Sequence, residues 1–305
     1  MTIKRYVIAM LFFTTACGEG IFDVEGRSYE PKIVIDGYLV PGSTQIKIYF
    51  RRNLPLNDNG QLFYPSDLVL TNAQASLTDV AESATYPLSY NADSLYYTYS
   101  GTDLTIGHGK TYRLEVSAVV NGKSLSASSE TTTPNAGFSI DPAASVLDSM
   151  EYNAKDSLGN SRKFRISFHR SPGTDFYLNT LEALDASVES FIYSPVNIFW
   201  APDTADVADD LTELKYSNDI TINTPLNAGT SSIDIEWYST WFYGDYRVVL
   251  FAGDRNMRDF FLTYGDVQEA DGNLHEPVLH IDGDGIGVFG SAISDTVMVR
   301  VLRRQ

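Results

Sequence analysis

The chain has 305 residues, and its 22 Lys and Arg face 39 Asp and Glu, which gives a formal net charge of −17. A surface this acidic repels phosphate backbones, so nucleic acid is not an expected partner. With one cysteine, the chain cannot form an internal disulfide, and its stability must come from apolar cores.

Residues 1–17 have the pattern of a secretory signal that ends in a cysteine. Two basic residues come before the apolar run YVIAMLFF (6–13), small residues follow, and Cys17 stands where cleavage is expected. The run is too short for a transmembrane helix, which needs about 20 apolar residues. It resembles a bacterial lipoprotein signal, in which the cysteine is lipid-modified, although Thr14 stands where leucine is usual. We therefore predict lipidation of Cys17; the alternative is a plain signal peptide with an incidental cysteine.

Residues 18–30 follow as a predicted flexible tether, because they contain Gly–acidic steps and little periodicity. An acidic residue close behind the cysteine resembles the surface-export signal of Bacteroidota lipoproteins. Several acyl chains on one cysteine hold a protein stably at a membrane, whereas a single chain binds only marginally. We expect a body anchored through its N-terminal lipid to the outer membrane, at the cell surface.

Residues 31–133 read as a series of short strands. In QIKIYF (45–50), Ile46, Ile48 and Phe50 share one face. Further along, TYRLEVSAVV (111–120) is followed by Asn-Gly, which supplies the positive φ angles of a type I′ hairpin turn. Repeated short strands of this kind predict an immunoglobulin-like β-sandwich.

The stretch TTTPNAG (131–137) breaks the pattern, and residues 138–305 are predicted to form a second β-rich domain with one or two short helices. Strand patterns occur in KFRISFH (163–169) and SIDIEW (232–237). A helix is predicted over 253–266, with Asp254 as its cap and an apolar stripe interpreted as core contact, and a second over 202–214. The predicted fold class is mainly β.

Two motifs resemble ligand sites, but each lacks a part that such a site requires. GIGVFG (285–290) has the glycine spacing of a dinucleotide-binding loop, yet a strand pattern follows where that loop needs a helix. The glycines are interpreted as permitting a bend before the last strand. DGDG (282–285) resembles the start of a calcium loop but lacks the glutamate at its twelfth position. The acids on the second predicted helix are interpreted as a solvated face, so no metal and no cofactor are expected.

The residue pattern gives little support for a catalytic site. The four histidines (His108, His169, His275 and His280) show no metal-ligand spacing, and a Gly-x-Ser-x-Gly elbow is absent from the sequence. Paired carboxylates could hydrolyse a glycoside, but their separation in space decides that. We therefore expect no enzymatic activity, with a surface hydrolase as the third-ranked alternative.

The aromatic run WYSTWFYGDY (237–246) is the one candidate ligand platform. Exposed Trp and Tyr offer flat rings to sugars or partner proteins. Trp237 is expected in the core, whereas Tyr238, Trp241 and Tyr243 could form the platform of a surface glycan-binding module. This module is the second-ranked function.

Four stretches together resemble one family: PKIVIDGYLVPG (31–42), GKTYRLEV (109–116), SPGTDFYL (171–178) and HEPVLHIDGDGIGVFGSAISD (275–295). They are similar to an uncharacterised family of Bacteroidota outer-membrane lipoproteins, domain of unknown function 4249. Its members are commonly encoded beside energy-coupled outer-membrane receptors. The resemblance implies an accessory to a TonB-dependent transporter in nutrient uptake, and it implies no catalytic residue.

Overall fold

The computed structural model describes residues 29–54, 64–193, 204–222, 229–264 and 277–304. The predicted signal peptide with Cys17, and the tether apart from its last two residues, lie outside these ranges and stay predictions. By residue contacts, the described residues of Pro31–Asn53 and Leu62–Gln305 belong to one compact unit. Within those ranges, no helix has the length and apolarity that crossing a membrane requires.

Alternating apolar residues give the described chain its strands. These are β1 (Ile33–Leu39), β2 (Ile48–Arg52), β3 (Gln74–Asp79), β4 (Ala84–Asn91), β5 (Tyr96–Thr98), β6 (Thr111–Val120), β7 (Lys123–Thr132), β8 (Ser139–Ile140), β9 (Met150–Glu151), β10 (Phe164–His169), β11 (Phe176–Ala183), β12 (Tyr216–Ile222), β13 (Thr230–Ile235), β14 (Gly244–Gly253), β15 (Asp282–Gly283) and β16 (Gly285–Leu302). The helices are α1 (Pro65–Leu68), α2 (Thr204–Asp209), α3 (Leu211–Leu214) and α4 (Arg255–Thr263).

Among the described strands, thirteen form one sheet in the order β12-β11-β14-β16-β1-β2-β5-β4-β3-β6-β7-β15, with β9 beside β16. The strands β13, β10 and β8 form a second, three-stranded sheet. The predicted fold class, mainly β with short helices, is confirmed.

The first core lies between the inward faces of β1 to β7, in a sandwich-like arrangement. Ile35, Phe50, Leu77 and Leu114 come from four different strands and are fully buried in this one cluster. The alternation predicted for 45–50 is confirmed, since Ile46, Ile48 and Phe50 all point into it. The predicted turn after β6 is confirmed as well: Asn121 and Gly122 have φ values of 53° and 79°.

The second core lies between the three-stranded sheet and the strands β11, β14 and β16. Phe164, Ile166 and Phe168 alternate into it from β10, as predicted, and Trp237 is 4% exposed. The predicted division at 134–137 falls between β7 and β8. However, Phe289 from β16 packs in the first core, so the last strand contributes to both.

The last strand joins the two halves of the described body. Its first half pairs in parallel with β1, from Ile33 with Gly285 to Leu39 with Ser291, and its second half pairs antiparallel with β14. The glycine motif 285–290 is therefore part of the strand. The predicted bend before the strand is wrong, because the strand already begins at Gly285. Gly287 instead permits the close approach of two backbones: a Cβ on it would lie 2.1 Å from the Ile35 carbonyl oxygen.

The predicted helices are present with altered extents. Asp254 caps α4 and accepts a hydrogen bond from the Met257 amide at 3.0 Å. The second predicted helix is two short helices, α2 and α3, separated at Asp210. The interpretation of the apolar stripe of α4 as core contact is correct for Met257, which is buried, but not for Tyr264, which is 60% exposed.

Candidate functional site

The structure places the three rings of the predicted platform in different environments. Tyr238 is 56% exposed. Trp241 is half-buried and stacks on Phe191, with ring centres 6.1 Å apart. Tyr243 is also half-buried, and the Arg303 guanidinium lies 4.7 Å from its ring centre. Because two of the rings pack against the second core, one mainly exposed ring remains.

The acidic and histidine motifs do not converge on a metal. Within the described ranges, no group of three or more His, Cys, Asp and Glu could hold an ion. In the DGDG motif, the Asp284 carboxylate accepts a hydrogen bond from the Ser126 amide at 3.2 Å. His280 pairs with Asp259 at 2.7 Å, while His275 lies outside the described residues. The acids on α2 and α3 are exposed, as expected for a solvated face.

A groove of about 870 Å³ crosses the seam between β1 and β16. Residues of both the DGDG and the GIGVFG motif line it, although neither motif predicts a ligand site from the sequence. Its floor is formed by outward-facing side chains of the two strands, and its wall by the exposed side of α4 and the segment before β15. The lining residues used below are Lys32, Val34, Asp36, Tyr38, Arg51, Phe260, Tyr264, His280, Ile286 and Val288.

Strand alternation explains why these floor residues share one face. Ile33 and Ile35 point into the first core, so Val34 and Asp36 point outward into the groove. The pairing register continues this face sideways: Val34 lies opposite Arg51 on β2 and opposite Ile286 on β16. Three strands thus present one continuous row of side chains.

The wall opposite the sheet carries an aromatic pair. Phe260 and Tyr264 are one helical turn apart at the end of α4, and their rings stack with centres 4.9 Å apart. One face of the Tyr264 ring is therefore covered by Phe260, while the side chain as a whole stays mainly exposed. This arrangement leaves an aromatic surface at the groove's rim.

Arg51 is the main cation of the groove. Its guanidinium lies 3.8 Å from the Asp36 carboxylate and 5.0 Å from the ring centre of Tyr49. Neither distance is a hydrogen bond. Within the described part of the chain the guanidinium makes none, so its donors are available to a ligand.

Tyr38 adds a hydroxyl donor to the floor. Burial is the main cause that raises its pKa above the ordinary value, and the neighbouring carboxylates of Asp36 and Asp254 raise it further. The hydroxyl therefore stays protonated at physiological pH. It makes no hydrogen bond to another described residue.

The segment before β15 is fastened to the rest of the body at several points. The Ser129 hydroxyl donates to the His280 carbonyl at 2.7 Å, and the Val278 amide donates to the Thr263 hydroxyl at 2.9 Å. His280 has a φ of 49°, a left-handed conformation that these contacts hold in place, together with its pairing to Asp259. These contacts hold the segment before β15, which forms the second wall of the groove, in a fixed position.

A buried polar cluster fixes α4 against the seam. The Asp254 carboxylate accepts hydrogen bonds from the amides of Met257 (3.0 Å) and Ser291 (3.1 Å) and from the Thr131 hydroxyl. Asn256 donates to the Phe289 carbonyl at 2.8 Å. Burial raises the pKa of Asp254, and its hydrogen bonds oppose that rise. The helix that carries the aromatic wall is thereby attached to both β7 and β16.

Comparison with known families gives a match over nearly the whole chain. Residues 20–293 match the family described as Domain of unknown function (DUF4249). The chain belongs to this family. The resemblance seen in the four sequence stretches is thereby confirmed at the level of the family. The groove-lining residues of the DUF4249 chain all lie within the matched range.

Other comparisons add little to the DUF4249 assignment. None of the curated proteins matches the chain. A 1.5-MDa bacterial ice-binding adhesin is similar at 10% identity and a TM-score of 0.21, covering 91% of this chain and 66% of that one. The chicken interferon gamma receptor alpha chain is similar at 8% identity and a TM-score of 0.21, covering 89% and 98%. Scores this low carry no argument about fold or function.

Proposed function

We propose that this DUF4249 protein is a non-catalytic lipoprotein, anchored through Cys17 to the outer membrane at the cell surface, where it assists a TonB-dependent transporter in nutrient uptake. The observation that carries the proposal is the placement of Cys17 directly behind a signal-like start in a chain of this family. Several acyl chains on such a cysteine would hold the body stably at a membrane.

The groove at the β1–β16 seam supports a binding role for the body. It brings together an exposed aromatic ring, a guanidinium with open donors and a protonated hydroxyl, on Tyr264, Arg51 and Tyr38. Aromatic area with a few placed polar groups is the usual composition of a ligand site. Such a surface suits capture of a nutrient or contact with a partner protein.

The proposal is tested by purifying the native protein in mild detergent from outer membranes and identifying by mass spectrometry its N-terminus and whatever accompanies it. We expect a lipid-modified Cys17 and a TonB-dependent transporter in near-equal amount. The Cys17→Ala variant, which cannot be lipidated, is the control. An unmodified N-terminus on protein found free in the periplasm would overturn the anchor, and a lipidated protein that purifies alone would overturn the accessory role.

A surface glycan-binding module remains the second candidate, favoured by the exposure of Tyr238. In this case the lipoprotein would act by itself. Glycan-array binding that is lost in Tyr238→Ala would support it, whereas binding that this substitution leaves intact would place the glycan elsewhere.

A further inference from the structure

The outward face of β1 and β2 is unusually basic for so acidic a protein. Among the described residues, its charged side chains are the cations Lys32 and Lys47, which directly precede the two strands, the cation Arg51 and one acid, Asp36, so three minus one leaves a net charge of +2. Asp282, which also lines the groove, reduces this sum to +1. The whole chain carries −17. The groove is therefore at the edge of a local positive patch, and such a patch attracts anionic ligands.

Two cations, Lys47 and Arg51, flank a pair of aromatic rings on this face. Lys47 lies 5.7 Å from the ring centre of Tyr96, and that ring meets Tyr49 edge to face at 5.9 Å. Tyr49 lies directly opposite Asp36 in the strand register, so the row continues into the groove. At the far side of the groove the row ends at the exposed ring of Tyr264. An extended ligand would meet rings and cations in turn.

A ligand can contact this surface only through the protein's side chains, because the backbone groups of β1 are already paired. β1 is paired with β2 on one side and with β16 on the other, so its backbone donors and acceptors are used. A peptide cannot add to it as a further strand, which is the usual way in which sheets bind extended peptides. A polysaccharide has no such need, because rings, hydroxyls and charged groups of side chains supply its recognition.

We propose that this face binds an acidic polysaccharide, with Arg51 pairing to its carboxylate or sulfate groups and Tyr264 stacking on a sugar ring. The planar guanidinium matches either anion with two parallel hydrogen bonds. Asp36 and the Tyr38 hydroxyl lie in the same groove and provide an acceptor and a donor for sugar hydroxyls. The site is independent of the lipid anchor and of a transporter, and it differs from the platform around Tyr238.

The test measures binding of the full chain, purified in detergent, to immobilised polygalacturonate, alginate and chondroitin sulfate by biolayer interferometry, with dextran as the neutral polymer. We expect binding to at least one acidic polymer, none to dextran, and weaker binding as salt is raised. Arg51→Ala should weaken binding at least about tenfold, because it removes a charge-assisted contact. Tyr264→Ala should weaken it about fivefold through the lost ring contact.

Matched variants outside the face keep the test specific. Arg304→Ala removes an exposed guanidinium elsewhere, and Tyr238→Ala removes an exposed ring elsewhere; both should bind like the unaltered protein. Since Tyr264 is mainly exposed, Tyr264→Ala should fold normally, and its circular dichroism spectrum checks this. Failure to bind all three acidic polymers, equal affinity of Arg51→Ala, or stronger binding to poly-glutamate than to the polysaccharides would each overturn the proposal.

Discussion

Arg165 and Asp234 face each other across β10 and β13, and their contact makes stability depend on pH. Arg165 donates two hydrogen bonds to the Asp234 carboxylate, at 2.7 and 3.0 Å. These bonds are the main cause that holds the pKa of Asp234 below its ordinary value. Because the folded pKa is lower than the unfolded one, the pair stabilises the fold above the unfolded pKa, and the contribution is lost as pH falls through the folded pKa.

Asp234→Asn should therefore lower the free energy of unfolding by about 0.5–1 kcal/mol at neutral pH, a small effect because both side chains are partly exposed. Urea unfolding at about pH 7 and about pH 2 measures the difference, which should be smaller at the lower pH. Asp93→Asn alters an exposed acid and serves as the control. A difference of equal size at both pH values would contradict the linkage.

Replacing Asp254 should lower the free energy of unfolding more than replacing Asp234, because the Asp254 carboxylate is buried and accepts three hydrogen bonds. Asp254→Ala leaves the Met257 and Ser291 amides without this acceptor, and we expect a loss of about 2 kcal/mol in the free energy of unfolding. Asp254→Asn keeps one acceptor oxygen and should lose less. Chemical denaturation compares both with Asp141→Ala, which removes a partly exposed cap of a short 3₁₀ turn. Similar losses at Asp254 and Asp141 would contradict the role of the buried cluster.

At the level of elements, the seam between β1 and β16 depends on Gly287. This residue has a φ of 104°, and a Cβ on it would collide with the Ile35 carbonyl oxygen at 2.1 Å. Gly287→Ala should therefore separate the two strands and cost well over about 2 kcal/mol of stability. Gly122→Ala is the matched control: its φ is 79°, but nothing lies within 4 Å of its would-be Cβ, so it adds backbone strain alone.

Thermal unfolding of the two glycine variants gives the measurement. The loss in melting temperature should be several times larger for Gly287→Ala than for Gly122→Ala. Losses of equal size would show that the close approach at the seam contributes nothing beyond the left-handed backbone.

Local patterns in the sequence predicted local structure well. The alternation of Ile46, Ile48 and Phe50, the Asn121-Gly122 turn and the Asp254 cap are each encoded within a few residues, and each is present. The groove was not predictable in this way. Its floor requires the parallel pairing of β1 with a strand about 250 residues later in the chain, and a parallel pair leaves no turn signal.

Aromatic residues that are close together in the sequence do not necessarily present their rings on one surface of the protein. A run such as WYSTWFYGDY places many rings close in sequence, yet in the structure Trp241 and Tyr243 turn toward the second core. Tyr49 and Tyr96 lie far apart in sequence and meet only through the fold, and Tyr264 lines a groove that also contains residues of β1 and β2. The sequence therefore predicts the candidate site around Tyr238, whereas the groove lies on another face.

At the level of the whole molecule, the last strand should make the two cores unfold together. β16 packs Phe289 into the first core and Val299 into the second, and it pairs with both β1 and β14. If one core opens, this strand loses half of its partners. Leu114 is fully buried in the first core, so Leu114→Ala should cost about 2–5 kcal/mol there.

Two probes read the two cores separately. Trp237 is buried in the second core, and its fluorescence reports that core once Trp200 and Trp241 are replaced by Phe, while hydrogen exchange of β6 and β7 reports the first core. In urea, Leu114→Ala should shift both midpoints by the same amount, because a two-state transition gives coincident curves for all probes. Val299→Ala, the matched truncation in the second core, should likewise shift both urea midpoints by the same amount. If Leu114→Ala moves the exchange midpoint and leaves the Trp237 signal unchanged, the halves 31–133 and 138–305 unfold as separate domains, and the shared strand does not couple them.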